Sequence, residues 1–144
     1  MTTLRNLASK LRNYADTLDD KVMRLRNEVA IYLVRDLVER TPVDTSKALS
    51  NWRASGGAVG SAIAAIAEGS RGSTAGISRA GAVSAAEAAL AGIGAGQIVT
   101  IYNSAPYIRR LNEGSSAQAP AGFVELAVQR ASRYAKTLGL DTKL

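Results

Sequence analysis

A repeating pattern of large apolar residues over the first 40 positions constrains the fold more than any other feature of this sequence. From residue 4 to residue 37 these side chains recur at steps of 3, 4, 3, 4, 4, 3, 4, 4 and 4, the spacing of one face of an α-helix. The members of the series are Leu4, Leu7, Leu11, Tyr14, Leu18, Val22, Leu25, Val29, Leu33 and Leu37. The early steps match the seam of a coiled coil, and the later runs of 4 rotate the stripe slowly. The pattern therefore predicts one helix from about residue 3 to residue 40.

Such a helix is too long for the domain that carries it. At 1.5 Å per residue it measures about 57 Å, whereas a domain of this size is only about 30 Å across. Part of residues 1–41 must project, kink or pack on another subunit. A break near Asp19-Asp20 would instead give two ordinary helices in one bundle, and the sequence leaves that alternative open. The candidate contact residues on this helix are Leu4, Leu7, Leu11, Tyr14 and Leu18.

The remainder of the chain predicts an α+β fold, with a small and mainly antiparallel sheet on which two further helices pack. Pro42 ends the first helix because proline cannot continue it. The predicted elements are a short turn at 45–49 capped by Asp44, a strand at 51–55, an Ala-rich helix at 82–91, a strand at 97–103 and a last helix at 121–138. Residues 56–81, rich in Gly, Ala and Ser, are predicted to form a long loop. We expect residues 1–144 to form a single domain.

The last predicted helix has an apolar face and a recognisable end. The residues of that face are Phe123, Leu126, Ala127, Ala131, Tyr134 and Leu138. Gly139 follows at the position where helices often end with a left-handed residue. The face predicts that this helix packs on the sheet.

The residue types on which most enzymes depend are missing. The chain has no Cys and no His, which excludes thiol chemistry and removes the commonest general base and the commonest metal ligand. The Gly-rich runs at 69–74 and 92–96 lack the sequence or the element order of nucleotide-binding loops. Carboxylate pairs occur at Asp19/Asp20, Asp36/Glu39 and Glu113/Glu125, without a third oxygen ligand to complete a cation site. We therefore expect no enzyme activity, no cofactor and no metal. The alternative of a hydrolase that uses Glu113 or Glu125 has no substrate that the sequence indicates.

The charge is basic but dispersed, with 18 Lys and Arg against 12 Asp and Glu and a net charge of +6. A mildly basic surface suits a place near nucleic acid or an acidic partner. The charge also allows a function as a small basic nucleic-acid-binding protein, an alternative to a purely structural role. Its candidate contacts are Arg109, Arg110, Arg130, Arg133 and Lys136. No apolar run approaches the roughly 20 residues of a membrane span, so we expect no membrane partner.

A polar loop, LNEGSSAQAPAG, leads directly into the last helix. Glu113-Gly114 favours a sharp turn, and Pro120 gives the helix a rigid entry. The loop is either a joint that meets a partner or an ordinary loop–helix junction. The candidate interface residues in this part of the chain are Tyr107, Arg109, Arg110, Ser115, Ser116 and Gln118.

Two stretches, TPVDTSKALSNWRAS at 41–55 and IYNSAPYIRRLNEGSSAQAPAGFVELAVQRA at 101–131, resemble the neck or tail-completion proteins of tailed bacteriophages. The pattern of that family is a long N-terminal helix, Pro-Val-Asp-Thr-Gly, a strand with Trp, a strand ending in Asn, a Pro-Tyr pair, a turn ending in Gly, and a Pro before the last helix. The matching positions are Pro42 to Thr45, Trp52, Asn103, Pro106, Tyr107, Leu111 to Gly114, and Pro120. Ser46 departs from it, standing where the family usually has Gly.

The resemblance implies a structural protein of the virion with an α+β fold. Six or twelve copies would form a ring at the head–tail junction that joins the portal-side connector to the tail tube. DNA would pass through this ring without sequence-specific binding, and the host cytoplasm would hold the protein during assembly. A tail-tube terminator ring is the nearest alternative. No catalytic or ligand-binding residue carries over from the family.

Overall fold

The first helix of the chain is unbroken. The computed structural model describes residues 4–61 and 72–140, and its first element, α1, spans Leu4–Arg40, 37 residues. The alternative of two helices separated at Asp19-Asp20 is therefore wrong. The helix ends at Thr41, whose backbone N–H and side-chain hydroxyl both donate to the carbonyl oxygen of Leu37, at 2.9 and 2.6 Å. The helix therefore ends just before Pro42, as the sequence predicts.

Six further elements complete the described part of the chain and confirm the α+β class. They are α2 Lys47–Ser50, β1 Trp52–Ser55, α3 Ala75–Ala91, β2 Thr100–Asn103, α4 Ile108–Asn112 and α5 Phe123–Thr137. The strands β1 and β2 pair antiparallel, with Trp52 opposite Asn103 and Ser55 opposite Thr100. Within residues 4–61 and 72–140 the sheet consists of these two strands.

The predicted loop at 56–81 is too long at its C-terminal side, because α3 begins at Ala75 and not at residue 82. Its buried residues are Ser78, Ala82, Ala86 and Leu90, four apart along one face. Three of these four side chains are small, so the signal of helical periodicity is weak in the sequence. Residues 62–71 of the predicted loop lie outside the described residues.

The predicted strand at 97–103 forms only over its last four residues. Gln97 is held in a loop, because its side-chain Oε1 accepts a hydrogen bond from the N–H of Gly94 at 2.7 Å and its carbonyl oxygen accepts one from Arg26 at 3.0 Å. The backbone carbonyl oxygen of Gln97 is thereby used by Arg26 and not by a neighbouring strand. Ile98 consequently remains exposed.

The last helix packs mainly on α1. Its buried residues are Phe123, Ala127, Ala131 and Ala135, so Leu126, which is 38% exposed, was wrongly assigned to the apolar face. The small alanines allow α5 to approach α1 closely, and the rings of Tyr32 and Tyr134 stack with centroids 4.3 Å apart. The helix ends as predicted: Gly139 has a φ of 81°, its N–H donates to Lys136, and the N–H of Leu140 donates to Ala135.

The hydrophobic core lies where the C-terminal half of α1 meets β1, α3 and α5. Residues of all four elements share one buried cluster, including Val34, Leu37, Trp52, Leu90 and Phe123. The indole N–H of Trp52 donates to the Thr41 hydroxyl at 2.7 Å, so the one buried donor of this aromatic side chain is satisfied. The N-terminal half of α1 contributes no buried residue.

Candidate interaction surface

The apolar stripe at the start of α1 is uncovered. Every residue from 4 to 22 is exposed, and its six large apolar side chains are between 47% and 87% exposed. These six residues, which we call the α1 stripe, are Leu4, Leu7, Leu11, Tyr14, Leu18 and Val22. Scattered apolar residues are normal on protein surfaces, but a contiguous row of this size marks an interaction surface.

The stripe is exposed because α5 is too short to cover it. α5 runs antiparallel to α1: Arg130 pairs with Asp36 at 2.7 Å, and one helical turn further on the hydroxyl of Tyr134 donates to Glu28 at 2.5 Å. Four residues after Tyr134 the helix has ended at its C-cap, Leu138. Residues seven apart lie within about 20° of each other around a helix, so Leu18 and Leu25 continue the row of Tyr32 beyond the end of α5.

The other group of predicted interface residues lies near the opposite end of α1. A cleft of about 340 Å³ separates residues 42–48 from Tyr107, Leu111, Ser116 and Gln118. The structure therefore does not bring the two predicted groups together into one surface. Arg109 and Arg110 of α4 are exposed beside this cleft.

Gln118 has a structural contact inside the chain. Its Oε1 accepts from the N–H of Val43 at 2.9 Å, and its Nε2 donates to the carbonyl oxygen of the same residue at 3.1 Å. The hydroxyl oxygen of Ser116 accepts from the N–H of Gln118 at 3.2 Å. These bonds tie the loop before α5 to the segment after α1, and they occupy the polar groups of Gln118 that were predicted to face a partner.

Asn112 is the residue that joins this loop to α5, and sequence reasoning missed its role. Its carbonyl oxygen accepts from the N–H of Gly122 at 2.6 Å, and its Oδ1 accepts from the N–H of Val124 at 2.9 Å. Its Nδ2 donates to both carboxylate oxygens of Glu125, at 3.0 and 2.9 Å. That amide hydrogen bond lowers the pKa of Glu125. Asn112 stands eleven residues before the first residue of α5 and caps the helix across a closed loop, whereas an ordinary N-cap stands immediately before the helix.

Gly114 lies at the tight point of this loop. Its φ is +95°, and a Cβ added here would meet the Cβ of Ala121 at 3.1 Å. The positive φ favours glycine at this position, and a Cβ would also be tightly placed against Ala121. The turn expected at Glu113-Gly114 is therefore present, and the loop closes back on the residues that precede α5.

Ser46, which stands where the resemblance has glycine, adopts the left-handed backbone conformation that glycine favours. It is the only non-glycine residue with positive φ in the described part of the chain, at 67°, and it is buried. It is the N-cap residue of α2, although its side chain makes no capping hydrogen bond. The Ser46 hydroxyl instead lies 2.9 Å from the hydroxyl of Thr74.

Two substitutions at Ser46 separate the strain from the hydrogen bond. Ser46→Ala loses the contact with Thr74 and keeps the strained φ, so we expect it to lower the free energy of unfolding by about 1 kcal/mol. Ser46→Gly loses the same contact but removes a strain of about 1–2 kcal/mol. After the entropic penalty of glycine, it should be more stable than Ser46→Ala by up to about 1 kcal/mol. Urea unfolding of both variants measures the difference, and an alanine variant equal to or more stable than the glycine variant would show that φ is not strained here.

Asp36 and Glu39, one of the carboxylate pairs considered in the sequence, form ion pairs with arginines. Asp36 accepts from Arg40 and Arg130, and Glu39 lies 3.6 Å from Arg79. Over residues 4–61 and 72–140, no three carboxylates converge on a possible metal position. Arg130, one of the five candidate nucleic-acid contacts, donates from Nε to Asp36 at 2.7 Å.

No helix in the described residues is long and apolar enough to cross a membrane. Comparison of the chain with models of protein families, with curated proteins and with solved structures finds no significant match.

Proposed function

We propose that the chain is a structural subunit of the head–tail junction of a tailed bacteriophage, a neck or tail-completion protein without catalytic activity. Several copies form a ring between the portal-side connector and the tail tube, around the channel through which DNA passes. The observation that carries the proposal is the α1 stripe, a long row of apolar side chains left uncovered by the fold. A stripe of this kind needs cover from another copy or from a neighbouring protein of the virion.

The segments that resemble neck proteins support the proposal because they form one connected unit. Residues of the first segment pair with residues of the second in the sheet, Trp52 with Asn103. The Asn103 side chain also donates to the carbonyl oxygen of Ala48 and accepts from the N–H of Ala105. Gln118 joins the same two segments through Val43. The residues of the motif thus lie together beside the C-terminal end of α1, remote from the stripe at its N-terminal end.

A tail-tube terminator ring remains the alternative within the same class. Both roles require a ring of copies at one end of the tail, and they differ in the neighbouring protein. Imaging the virion with the protein labelled distinguishes them by position: a label between connector and tail tube supports the neck role. A label elsewhere in the particle, or none, would contradict it.

Replacing two residues of the stripe tests the function without testing the fold. In Leu7→Asp/Leu11→Asp both positions are exposed in the subunit, so we expect circular dichroism and thermal stability to remain close to those of the unchanged protein. Each Leu contributes roughly 1.5–3 kcal/mol when buried in a contact, so joining of heads to tails should fall at least about tenfold. Complementation of a phage that lacks the gene, scored as infectious titre, measures the effect.

The matched control carries charge on the same helix away from the stripe. Asn6→Asp/Asn13→Asp adds the same two negative charges to exposed positions on another side of α1, and we expect titre within about twofold of the unchanged protein, since substitutions at exposed positions away from the stripe have small effects. Equal loss of titre in both pairs, or in neither, would show that the stripe is not the surface used in assembly.

A further inference from the structure

The α1 stripe has the layout of one strand of a two-helix coiled coil. Leu4, Leu11 and Leu18 form one row seven residues apart, and Leu7, Tyr14 and Lys21 form the second row. Alternating steps of 3 and 4 between the rows are the seam that another helix fills. Five of the six seam residues are large, apolar and exposed, and the sixth, Lys21, lies at the end. The shape of the occupant is therefore a helix.

The charges beside the stripe select the direction of that helix. The first half of residues 4–22 carries the positive side chains Arg5, Lys10 and Arg12, and the second half carries the negative Asp16, Asp19 and Asp20 together with one positive residue, Lys21. A parallel copy would place like charges at the same level throughout. An antiparallel copy places each basic half beside an acidic half, and it brings aspartates to the helix N-terminus, where the first turn of α1 has no acidic residue of its own.

One antiparallel register satisfies the seam and the charges together. With the two-fold axis between Arg12 and Asn13, Leu11 lies opposite Tyr14 of the partner copy and Leu7 lies opposite Leu18 of the partner copy. In the same register Leu4 faces the apolar stem of Lys21, whose ammonium reaches water, and Arg5 is level with Asp20. Ala8 and Ala15 line one side of this seam, so their small side chains permit a close approach of the two helices.

We propose that the free protein pairs two by two through residues 4–22 of α1, antiparallel and in this register. The paired stripes bury roughly 1,000 Å² in total, near the lower limit for a specific interface, so the pair forms weakly and reversibly. A two-fold contact is closed and does not extend into a ring. The pair therefore covers the stripe before assembly and opens when another partner takes its place. This pairing does not rest on the proposed function.

Sedimentation of the full-length protein tests the pairing. At about 100 μM, a concentration suited to a micromolar dissociation constant, we expect a mass twice the 15.0 kDa of one chain. Leu11→Asp should return it to a single chain, and Asn13→Asp, on another side of the helix, should leave the pair intact. A monomer at this concentration, a mass of six or more copies, or a dimer indifferent to Leu11→Asp would each overturn the proposal.

A disulfide trap tests direction and register, because the chain contains no Cys. Ala8 and Ala15 of opposite copies lie about two residues, or 3 Å, apart along the axis in this register. We expect Ala8→Cys protein mixed with Ala15→Cys protein to form the mixed disulfide under mild oxidation, and neither variant alone to link to itself. Self-linked species without the mixed one, or no linkage in a dimeric sample, would exclude this register. If the protein were absent from the head–tail junction of the virion, the proposed function would be wrong, but the pairing measured by the disulfide trap would be unaffected.

Discussion

Phe123→Ala should lower the free energy of unfolding by about 3–5 kcal/mol, a large part of the roughly 5–15 kcal/mol that stabilises an ordinary domain. Phe123 is the only Phe in the chain and is completely buried. It is the first residue of α5, and it shares its cluster with Trp52 and Leu90. Truncation therefore removes apolar contacts and opens a cavity at the point where α1, α3, β1 and α5 meet.

Unfolding in urea, followed by the fluorescence of the single, buried Trp52, measures this loss. Leu126→Ala is the matched control, since it truncates a large residue on the same helix that is 38% exposed, and it should lose less than about 1 kcal/mol. In a domain of this length each kcal/mol lowers the midpoint of thermal unfolding by about 2–4 °C. Equal losses in the two variants would mean that α5 does not pack on the core through Phe123.

The long helix and its stripe could be predicted from the sequence because large apolar residues mark them at every turn. Leu4, Leu11 and Leu18 signal a helix face whether or not anything covers that face. The same signal could not tell which part of the stripe is buried. That depends on the length of α5, whose last turn ends beside residues near Glu28, a tertiary relation without a local pattern.

The faces built from small residues could be predicted only in part: Ala127 and Ala131 were assigned to the apolar face of the last helix, but Ala135 and the buried face of α3 were not. Ala127, Ala131 and Ala135 are buried in α5, and Ala82 and Ala86 are buried in α3. Alanine contributes little hydrophobic signal, whereas leucine contributes a strong one. Leu126 was therefore assigned to the apolar face, although its side chain is partly exposed to solvent. Close approach of two helices determines the buried face here, and that approach is visible only in the folded structure.

The polar contacts that fix the elements relative to one another were missed for a related reason. Asn112 caps α5 from eleven residues before the helix begins, and the conformation of Ser46 is visible only in the backbone. The resemblance did point to both places, since it contains Gly at the position of Ser46 and a turn at 111–114. It marked where the chain is constrained without revealing which atoms impose the constraint.

Arg26→Ala should be the most damaging change of a charged residue, with a loss of about 2–3 kcal/mol. Arg26 reaches from α1 to the loop after α3, where it donates to the carbonyl oxygens of Ile93 and Gly94 at 2.7 Å and of Gln97 at 3.0 Å. Its Nε and Nη2 also donate to the Oδ1 of Asn27, at 3.1 and 2.9 Å. A cation near the C-terminal end of α3 is further favoured by the helix dipole. Removing it leaves several carbonyl oxygens without their donor.

Two controls separate charge from geometry. Arg24→Ala removes an exposed charge two residues away on α1 and should lose less than about 0.5 kcal/mol. Arg26→Lys keeps the charge, but an ammonium group cannot reproduce the planar fork that reaches three carbonyl oxygens, so it should recover less than half of the loss. Urea unfolding ranks the variants. An Arg26→Lys variant as stable as the unchanged protein would show that charge alone is responsible.

The same variants bear on the α1 stripe, because Arg26 lies one turn beyond Val22, the last stripe residue. The hydrogen bonds from Arg26 to the carbonyl oxygens of the loop at 93–97, which we call the Arg26 clamp, fix α1 to that loop. They lie at the place where the rest of the chain stops covering α1. In Arg26→Ala we therefore expect amide hydrogen exchange to increase about tenfold or more at residues 93–97, consistent with a local loss above 1.4 kcal/mol. Exchange there that stays unchanged while global stability falls would show that the clamp stabilises the folded state without holding this loop. The direction of the stripe would then be set by the core contacts of the buried α1 residues Ala30, Val34, Leu37 and Val38.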